Sequence, residues 1–275
     1  MKMNNILKLG AAMLGMALAI SACEKTQLDE LRKTEFYDPA TSANVRFLHV
    51  YPWLTPAVTT TNPSLASGQH FYIYRDTFKL NGNPISYGGN WPGPSVYSLQ
   101  PVGSFDFRIV LARQVANLPR PSAGDTLVVK RMDLAAGKYY SAFICDTFNN
   151  RDLWVIEDKI DPVYDTMCSI RLVHLLIHNR DTISIFSRRE NREIASNVTY
   201  KTASEFVKMR VYSTADTFDI IRRGPGSNPY NTTGTGRNNW ITGFVGTPGR
   251  YYTLIARGNS RVANRGASLG FYINL

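Results

Sequence analysis

Residues 137–141 (GKYYS) recur 112 positions later as residues 249–253 (GRYYT), and this repeat decides how the 275-residue chain is organised. Upstream, residues 45–49 (VRFLH) match residues 170–174 (IRLVH) at an offset of 125. The larger offset places about 13 extra residues in the first copy, and the Pro-, Thr- and Ser-rich stretch 52–68 supplies them. The chain therefore carries one unit of roughly 110 to 120 residues twice.

Each copy is predicted to be built from strands. The chain contains 13 Phe, 15 Tyr, 20 Gly and 14 Pro, a composition that favours short strands joined by turns. In the first copy, alternation places Tyr140, Ala142 and Ile144 on one face, which we expect to be core. The predicted fold class is all-β, with two tandem antiparallel β-sandwich domains at 43–160 and 166–275.

The first strand of each copy also carries charge. Arg46 and Arg171 alternate with the core residues of their strands and lie beside Leu48 and Val173. We expect these side chains to point away from the two cores. Because the linker between the copies, 158–165, is only about eight residues long, we expect the two sandwiches to sit end to end with limited freedom.

The N-terminus has the pattern of an export signal. Lys2 and Lys8 precede the uncharged apolar run 9–20, which is too short to cross a bilayer and is typical of a signal peptide. The run ends in residues 18–23 (LAISAC), which resemble the bacterial lipobox. The resemblance implies cleavage after residue 22 and lipidation of Cys23. An ordinary secretory signal, in which Cys23 is incidental, is the alternative.

The lipobox resemblance also implies a place in the cell. The expected organisation is a signal peptide at 1–22 and a lipidated tether at 23–42. Residue 24 is Glu, without the Asp that signals inner-membrane retention in some enteric bacteria. The expected location is therefore the cell envelope, as an outer-membrane lipoprotein that is periplasmic or surface-exposed. The membrane is an expected partner through the lipid anchor.

The repeated unit resembles a known family. The opening VRFLH at 45–49, the segment YGG at 87–89 and the late GKYYS at 137–141 are similar to the family of domains of unknown function numbered 4397, which is common in cell-surface lipoproteins. The resemblance covers residues 44 to about 157. It implies an immunoglobulin-like β fold outside the cytoplasm, and it implies no activity.

Motifs that carry catalysis are scarce. The sequence has no CxxC pair, no phosphate-binding GxxxxGK[ST] loop and no HExxH zinc motif. His174 and His178 would lie about 13 Å apart on a strand, which is too far for one metal ion. Cys145 aligns with Arg257 on the expected outward face, so Cys145 and Cys168 are expected to be free. No catalytic residue, metal or cofactor is predicted.

Charge is concentrated in the second copy. Residues 166–275 hold 15 Lys and Arg against 6 Asp and Glu, and 13 of the 15 cations are Arg. Arginine pairs with carboxylates and phosphates, so these residues are candidates for an anionic polymer or lipid head group, with a merely solvated basic surface as the alternative. Nucleic acid is not expected as a partner outside the cytoplasm. The candidate patch is Arg188, Arg189, Arg192, Arg222, Arg223, Arg237 and Arg250.

Aromatic residues near turns suggest a second kind of binding. Their rings could stack on sugars, although such rings also close the ends of sandwiches. The candidates are Trp53, Trp91, Tyr230 and Trp240.

These features predict a non-enzymatic, lipid-anchored envelope or cell-surface protein for adhesion, glycan binding or structural interaction with a polysaccharide or protein partner. Two alternatives stay open. One is an accessory subunit of a polysaccharide-uptake or secretion assembly. The other is an envelope glycan hydrolase whose catalytic carboxylates lie on loops.

Overall fold

Alternating apolar residues form strands throughout the computed structural model. The structure describes residues 38, 40–52, 70–112, 122–147, 150–160, 166–177, 182–223, 238–259 and 268–274. The predicted signal peptide and Cys23 lie outside these residues. Contacts divide the chain into Met1–Asp38 and the compact unit Pro39–Leu275. No helix in the described residues is long and apolar enough to span a membrane.

The first half of the compact unit contributes nine of the described strands. They are β1 (Ala43–His49), β2 (Phe71–Arg75), β3 (Phe78–Lys79), β4 (Asn90–Trp91), β5 (Ser98–Gln100), β6 (Gly103–Leu111), β7 (Thr126–Leu134), β8 (Tyr139–Thr147) and β9 (Asn150–Glu157).

The second half contributes nine more described strands in the same order. They are β10 (Met167–Ile177), β11 (Thr182–Ser187), β12 (Arg192–Val198), β13 (Thr202–Ala203), β14 (Val207–Arg210), β15 (Asp216–Arg223), β16 (Asn238–Phe244), β17 (Tyr251–Asn259) and β18 (Ser268–Ile273). The all-β prediction is confirmed.

Strand pairing repeats between the halves. The first half has a five-stranded sheet, β4-β1-β8-β9 with β5 also on β1, and a four-stranded sheet, β3-β2-β6-β7. The second half has β13-β10-β17-β18 with β14 also on β10, and β12-β11-β15-β16. Each strand of the first half thus has a counterpart in the second, as the sequence repeat predicts.

In each half, one pair of strands departs from the antiparallel prediction. β1 pairs in parallel with β8, and β10 pairs in parallel with β17. Hairpin partners must be antiparallel, but β1 and β8 are separated by most of the first copy, so the chain has room to return in the same direction. Each five-stranded sheet is therefore mixed.

Each half has its own core between its two sheets. In the first half Phe47, Phe107 and Ala142 are fully buried together, and Leu172 and Leu254 are among their counterparts in the second. Ala142 and Ile144 belong to the first core, and Tyr140 packs against it, so the predicted inward face is confirmed.

A third buried cluster joins the halves. It contains Leu48 and Phe143 from the first five-stranded sheet and Val173, Ile255 and Tyr272 from the second. The two five-stranded sheets therefore pack face to face, and the expectation of an end-to-end arrangement is wrong. The outward faces of both sheets are apolar, so packing them together removes that surface from water. We call this contact the junction.

Candidate functional site

A buried carboxylate lies at the centre of the junction. Asp158 follows directly after β9, and its Oδ2 accepts hydrogen bonds from the Tyr97 hydroxyl at 2.7 Å, the Ser141 hydroxyl at 2.6 Å and the Asn274 amide at 3.3 Å. Its Oδ1 accepts from the guanidinium of Arg171, with which it forms an ion pair across the junction. All oxygens of the carboxylate are thus used inside the protein.

Two arginines of the repeated segment share this network. Arg46 donates to the carbonyl oxygens of Val96, at 2.9 and 3.0 Å, and Ile273, at 2.6 Å, and its guanidinium carbon lies 4.4 Å from the Tyr97 ring centroid. Burial alone would lower the pKa of Arg171, but the charge and hydrogen bonding of Asp158 outweigh it and raise that pKa. Burial and the nearby Asp158 raise the pKa of the Tyr97 hydroxyl. The network is enclosed and serves to hold the halves together.

A second ion-pair cluster crosses the junction near the end of β8. Lys201, from the second half, lies 2.6 Å from an oxygen of Asp146 and 3.0 Å from one of Asp152, both from the first half. The Tyr200 hydroxyl donates to Asp146 at 3.2 Å. Burial opposes the charge on Lys201, but its hydrogen bonds to the two carboxylates raise its pKa above the usual value. We call this cluster the Lys201 site.

A cleft opens on the junction at the place that the duplication relates to the Lys201 site. It has a volume of about 210 Å³ and is walled by residues of both halves. We call it the junction cleft. Its lining residues include Leu48, Gly88 and Asn90 from the first half and Arg257, Gly270 and Phe271 from the second.

Arg257 is the cation of the junction cleft. Its guanidinium carbon lies 5.4 Å from the centroid of the Tyr87 ring. A Cβ added at Gly88 would lie 3.1 Å from an Arg257 nitrogen, and one added at Gly270 would lie 3.2 Å from the guanidinium carbon. Gly88 also has a φ of +83°, which disfavours other residues. The two glycines thus leave the space in which the guanidinium sits.

The Arg257 side chain carries an unsatisfied hydrogen-bond donor. Its Nε is buried without a hydrogen bond. In the part of the chain that the structure describes, the contact made by its guanidinium charge is with the Tyr87 ring. A buried donor without an acceptor is costly, so this group is available to a ligand.

Three predicted patch arginines are already engaged at the turn between β11 and β12. Arg188 pairs with Asp219 at 2.9 Å, and Arg192 pairs with Glu190 at 2.5 Å. Arg189 donates to the carbonyl of Ala215 at 3.0 Å. Acceptors within the chain therefore neutralise part of the charge of these arginines.

The structure does not bring the predicted arginine patch together. In the pairing of β11 with β15, Ser187 lies opposite Phe218, whereas Thr182 lies opposite Arg223. Arg222 and Arg223 therefore lie at the other end of the sheet from Arg188 and Arg189. The two groups of arginines are separated because β11 and β15 run antiparallel. The sequence alone shows only that all of these arginines belong to the second copy. Arg250 is exposed at the turn before β17, and Arg237 lies outside the described residues.

Of the predicted aromatic candidates, Trp91 is the one whose side chain the structure describes. The Trp91 ring lies 6.2 Å from the Phe47 ring and packs against the first core. Trp240 is a position of β16, whereas Trp53 and Tyr230 lie outside the described residues.

Sequence reasoning missed the junction cleft. Two signals were present: the YGG segment at 87–89, and the alignment of Arg257 with Cys145.

The histidines and cysteines serve structural roles. His49 and His174 are fully buried, and the Nδ1 atoms accept hydrogen bonds from the backbone amides of Tyr51 and Leu176. Cys145 and Cys168 are buried free thiols, and burial raises the pKa of Cys145 to about 12. His178 lies outside the described residues. Within the described ranges no three His, Cys, Asp or Glu residues are grouped to hold a metal ion.

A serine motif occurs without its usual setting. Residues 266–270 (GASLG) have the GxSxG spacing of a hydrolase nucleophile. In those enzymes the serine sits on a sharp turn between a strand and a helix. Ser268 instead begins β18 and pairs with Arg257 of β17. The spacing therefore does not form a nucleophile elbow here.

No family model matches the sequence, and neither does any curated protein. Three solved structures are distantly similar. The Bacillus anthracis TIE protein is 11% identical, with a TM-score of 0.22, over 80% of this chain and 34% of that one, so the chain spans about a third of its length.

The other two similar structures are covered almost completely. A family 26 carbohydrate-binding module from Eubacterium rectale, solved with maltoheptaose, is 14% identical with a TM-score of 0.21, over 83% of this chain and 96% of that one. A candidate cell adhesion protein from Bacteroides fragilis is 10% identical with a TM-score of 0.18, also over 83% and 96%. Likenesses this distant say nothing of what the chain binds.

Proposed function

We propose that this chain is a non-enzymatic, lipid-anchored envelope protein that binds glycan in the junction cleft. The observation that carries the proposal is the cleft itself, where the guanidinium of Arg257, whose Nε has no hydrogen-bond acceptor, lies beside the Tyr87 ring. Ligand sites in proteins are concave and combine apolar walls with a few polar groups that fix orientation.

The walls of the cleft suit a sugar. Leu48, Ile255 and Tyr272 give the cleft apolar walls, and the Tyr87 ring lies beside the guanidinium of Arg257. A sugar ring has apolar C–H faces that stack on aromatic rings and hydroxyl groups that accept hydrogen bonds. Asn90, also in the lining, adds an amide that can donate and accept hydrogen bonds. The cleft thus offers both kinds of contact.

The composition of the cleft supports binding over hydrolysis. Glycoside hydrolysis requires two carboxyl groups flanking the scissile bond. The described residues that line the cleft include no Asp, Glu or His. Asp146 and Asp152, which do lie close together, are held by Lys201 at the Lys201 site.

The location in the envelope rests on the N-terminal sequence. Lys2 and Lys8, the apolar run 9–20 and the small residues before Cys23 support export followed by lipidation. Several acyl chains on one residue anchor a protein stably, whereas one chain does so only marginally. The resemblance of residues 44–157 to family 4397 belongs to the same proposal.

Radiolabelled palmitate is expected to enter the protein and not its Cys23→Ala variant, because the thiol is the acceptor of the lipid. The measurement is autoradiography of the immunoprecipitated protein from labelled cells. A Cys145→Ala variant is the control and should be labelled like the parent, since that thiol is buried. Label that persists in Cys23→Ala would remove the anchoring proposal.

Asn90→Ala is expected to weaken glycan binding about tenfold, because it removes a side-chain amide from the lining of the cleft. The measurement is a glycan array, followed by titration of the best oligosaccharide into the protein purified in detergent. Asn83→Ala is the matched control, because Asn83 is an exposed asparagine that does not line the cleft. An equal loss in both variants, or a parent that binds no glycan, would contradict the proposal.

A further inference from the structure

The duplication allows the two polar sites of the junction to be compared residue by residue. The offset of 112 relates Cys145 to Arg257 and Asp146 to Gly258. Strand register adds another pair, because Cys145 lies opposite Asp152 and Arg257 lies opposite Ser268. The Lys201 site and the junction cleft are therefore two versions of one place.

Their aromatic residues correspond as well. The Tyr87 ring meets the His49 ring edge-on at 5.8 Å, and the Tyr200 ring meets the His174 ring edge-on at 5.9 Å. The residue after Tyr87 is Gly88, which lines the junction cleft, and the residue after Tyr200 is Lys201, the cation of the Lys201 site. Both places thus present one cation next to one tyrosine.

The cations differ in what neutralises them. Lys201 forms ion pairs with both Asp146 and Asp152, so carboxylates of the chain itself neutralise its charge. At the corresponding positions the cleft has Gly258 and Ser268, and neither can carry a negative charge. Both places therefore hold a cation, contributed by different positions of the repeat, and only the Lys201 site holds carboxylates.

The geometry of Arg257 favours an anion from outside. Its half-buried guanidinium has a buried Nε without an acceptor, and no ion pair in the described ranges uses it. A guanidinium presents a planar fork of donors that matches a carboxylate, sulfate or phosphate. The cleft of about 210 Å³ is smaller than the ~300 to 1,000 Å³ of pockets for drug-sized ligands, so it suits one sugar residue.

Building on the proposed function, we infer that the junction cleft takes an anionic sugar residue, and that Arg257 binds its carboxylate or ester anion. In the junction cleft, the anion of the ligand takes the role that Asp146 and Asp152 have at the Lys201 site. Leu48, Ile255 and Tyr272 line the space that the sugar would occupy. Each chain then has one anionic-glycan site, although the fold is duplicated.

The test is calorimetric titration of the full protein in detergent with three matched probes. They are an oligogalacturonate, its neutral methyl ester, and an oligosaccharide whose only charge is a sulfate or phosphate ester. We expect the parent to bind an anionic probe about 10- to 100-fold more tightly than the ester, as charged hydrogen bonds require. Arg257→Gln should remove that preference, so that the acid and its methyl ester bind equally, whereas Arg257→Lys should keep part of it.

Arg250→Gln is the control, because Arg250 is exposed on the turn before β17 and does not line the cleft. A preference for oligogalacturonate assigns a carboxylate, and a preference for the sulfated or phosphorylated probe assigns an ester anion; both support the inference. If the parent binds the acid, its methyl ester and the sulfated or phosphorylated probe equally, the inference is overturned and glycan binding still stands. Should Arg257→Gln fail to fold, the comparison of the three probes on the parent still decides.

Discussion

Asp158→Ala is expected to lower the free energy of unfolding by about 3 to 5 kcal/mol, because it leaves buried positive charge without its carboxylate. The side chains of Arg171 and Asp158 are 3% and 0% exposed, so water cannot replace the lost ion pair. The hydroxyls of Tyr97 and Ser141 also lose their acceptor. Urea unfolding followed by circular dichroism measures the change.

Glu157→Gln is the matched control for Asp158→Ala. It removes the neighbouring carboxylate, which pairs with Lys138 at 2.8 Å on the surface, where the two side chains are 40% and 53% exposed. Exposed pairs contribute about 0 to 1 kcal/mol, so this variant should unfold close to the parent. If Asp158→Ala were as stable as Glu157→Gln, the network around Asp158 would not hold the junction.

Phe143→Ala is expected to cost about 3 to 5 kcal/mol and to uncouple the two halves. Phe143 is fully buried in the junction, where its ring centroid lies 5.5 Å from that of Trp154 and 6.5 Å from that of Tyr272. Its removal leaves a cavity between the sheets but leaves both cores intact. Unfolding should then separate into two transitions, measured by Trp fluorescence and circular dichroism over a urea series.

The outcome for Phe143→Ala is judged against Phe78→Ala, which trims a ring that is 53% exposed. That control should leave a single transition near the parent midpoint. A single, unshifted transition in Phe143→Ala would mean that the junction contributes little to stability. The two variants at the junction thus probe its polar and apolar parts separately.

The polar network gives the junction a direction that apolar contact lacks. Hydrophobic burial stabilises many alignments of two flat sheets, because it depends on area and has no preferred orientation. Hydrogen bonds from Arg171, Ser141 and Asn274 to one carboxylate are satisfied in only one alignment. The buried charges therefore select the alignment that creates the junction cleft.

Much of the fold follows from local pattern. The recurrence of GKYYS as GRYYT predicted the repeated strand order, and alternation around Ala142 predicted the core face. Both signals are local, because a strand shows its two faces to neighbouring residues of its own sequence. The parallel pairing of β1 with β8 was missed, since it joins segments about 95 residues apart.

The sequence by itself determined an all-β chain with a duplicated unit, and it marked Arg46 and Arg171 as lying on the faces opposite the cores. Only the tertiary structure decided that those faces meet, that the predicted arginine patch is divided, and that Arg257 faces a cleft without a carboxylate. Periodicity shows which side chains share a face. What covers that face depends on contacts between distant segments, whose geometry no local pattern contains.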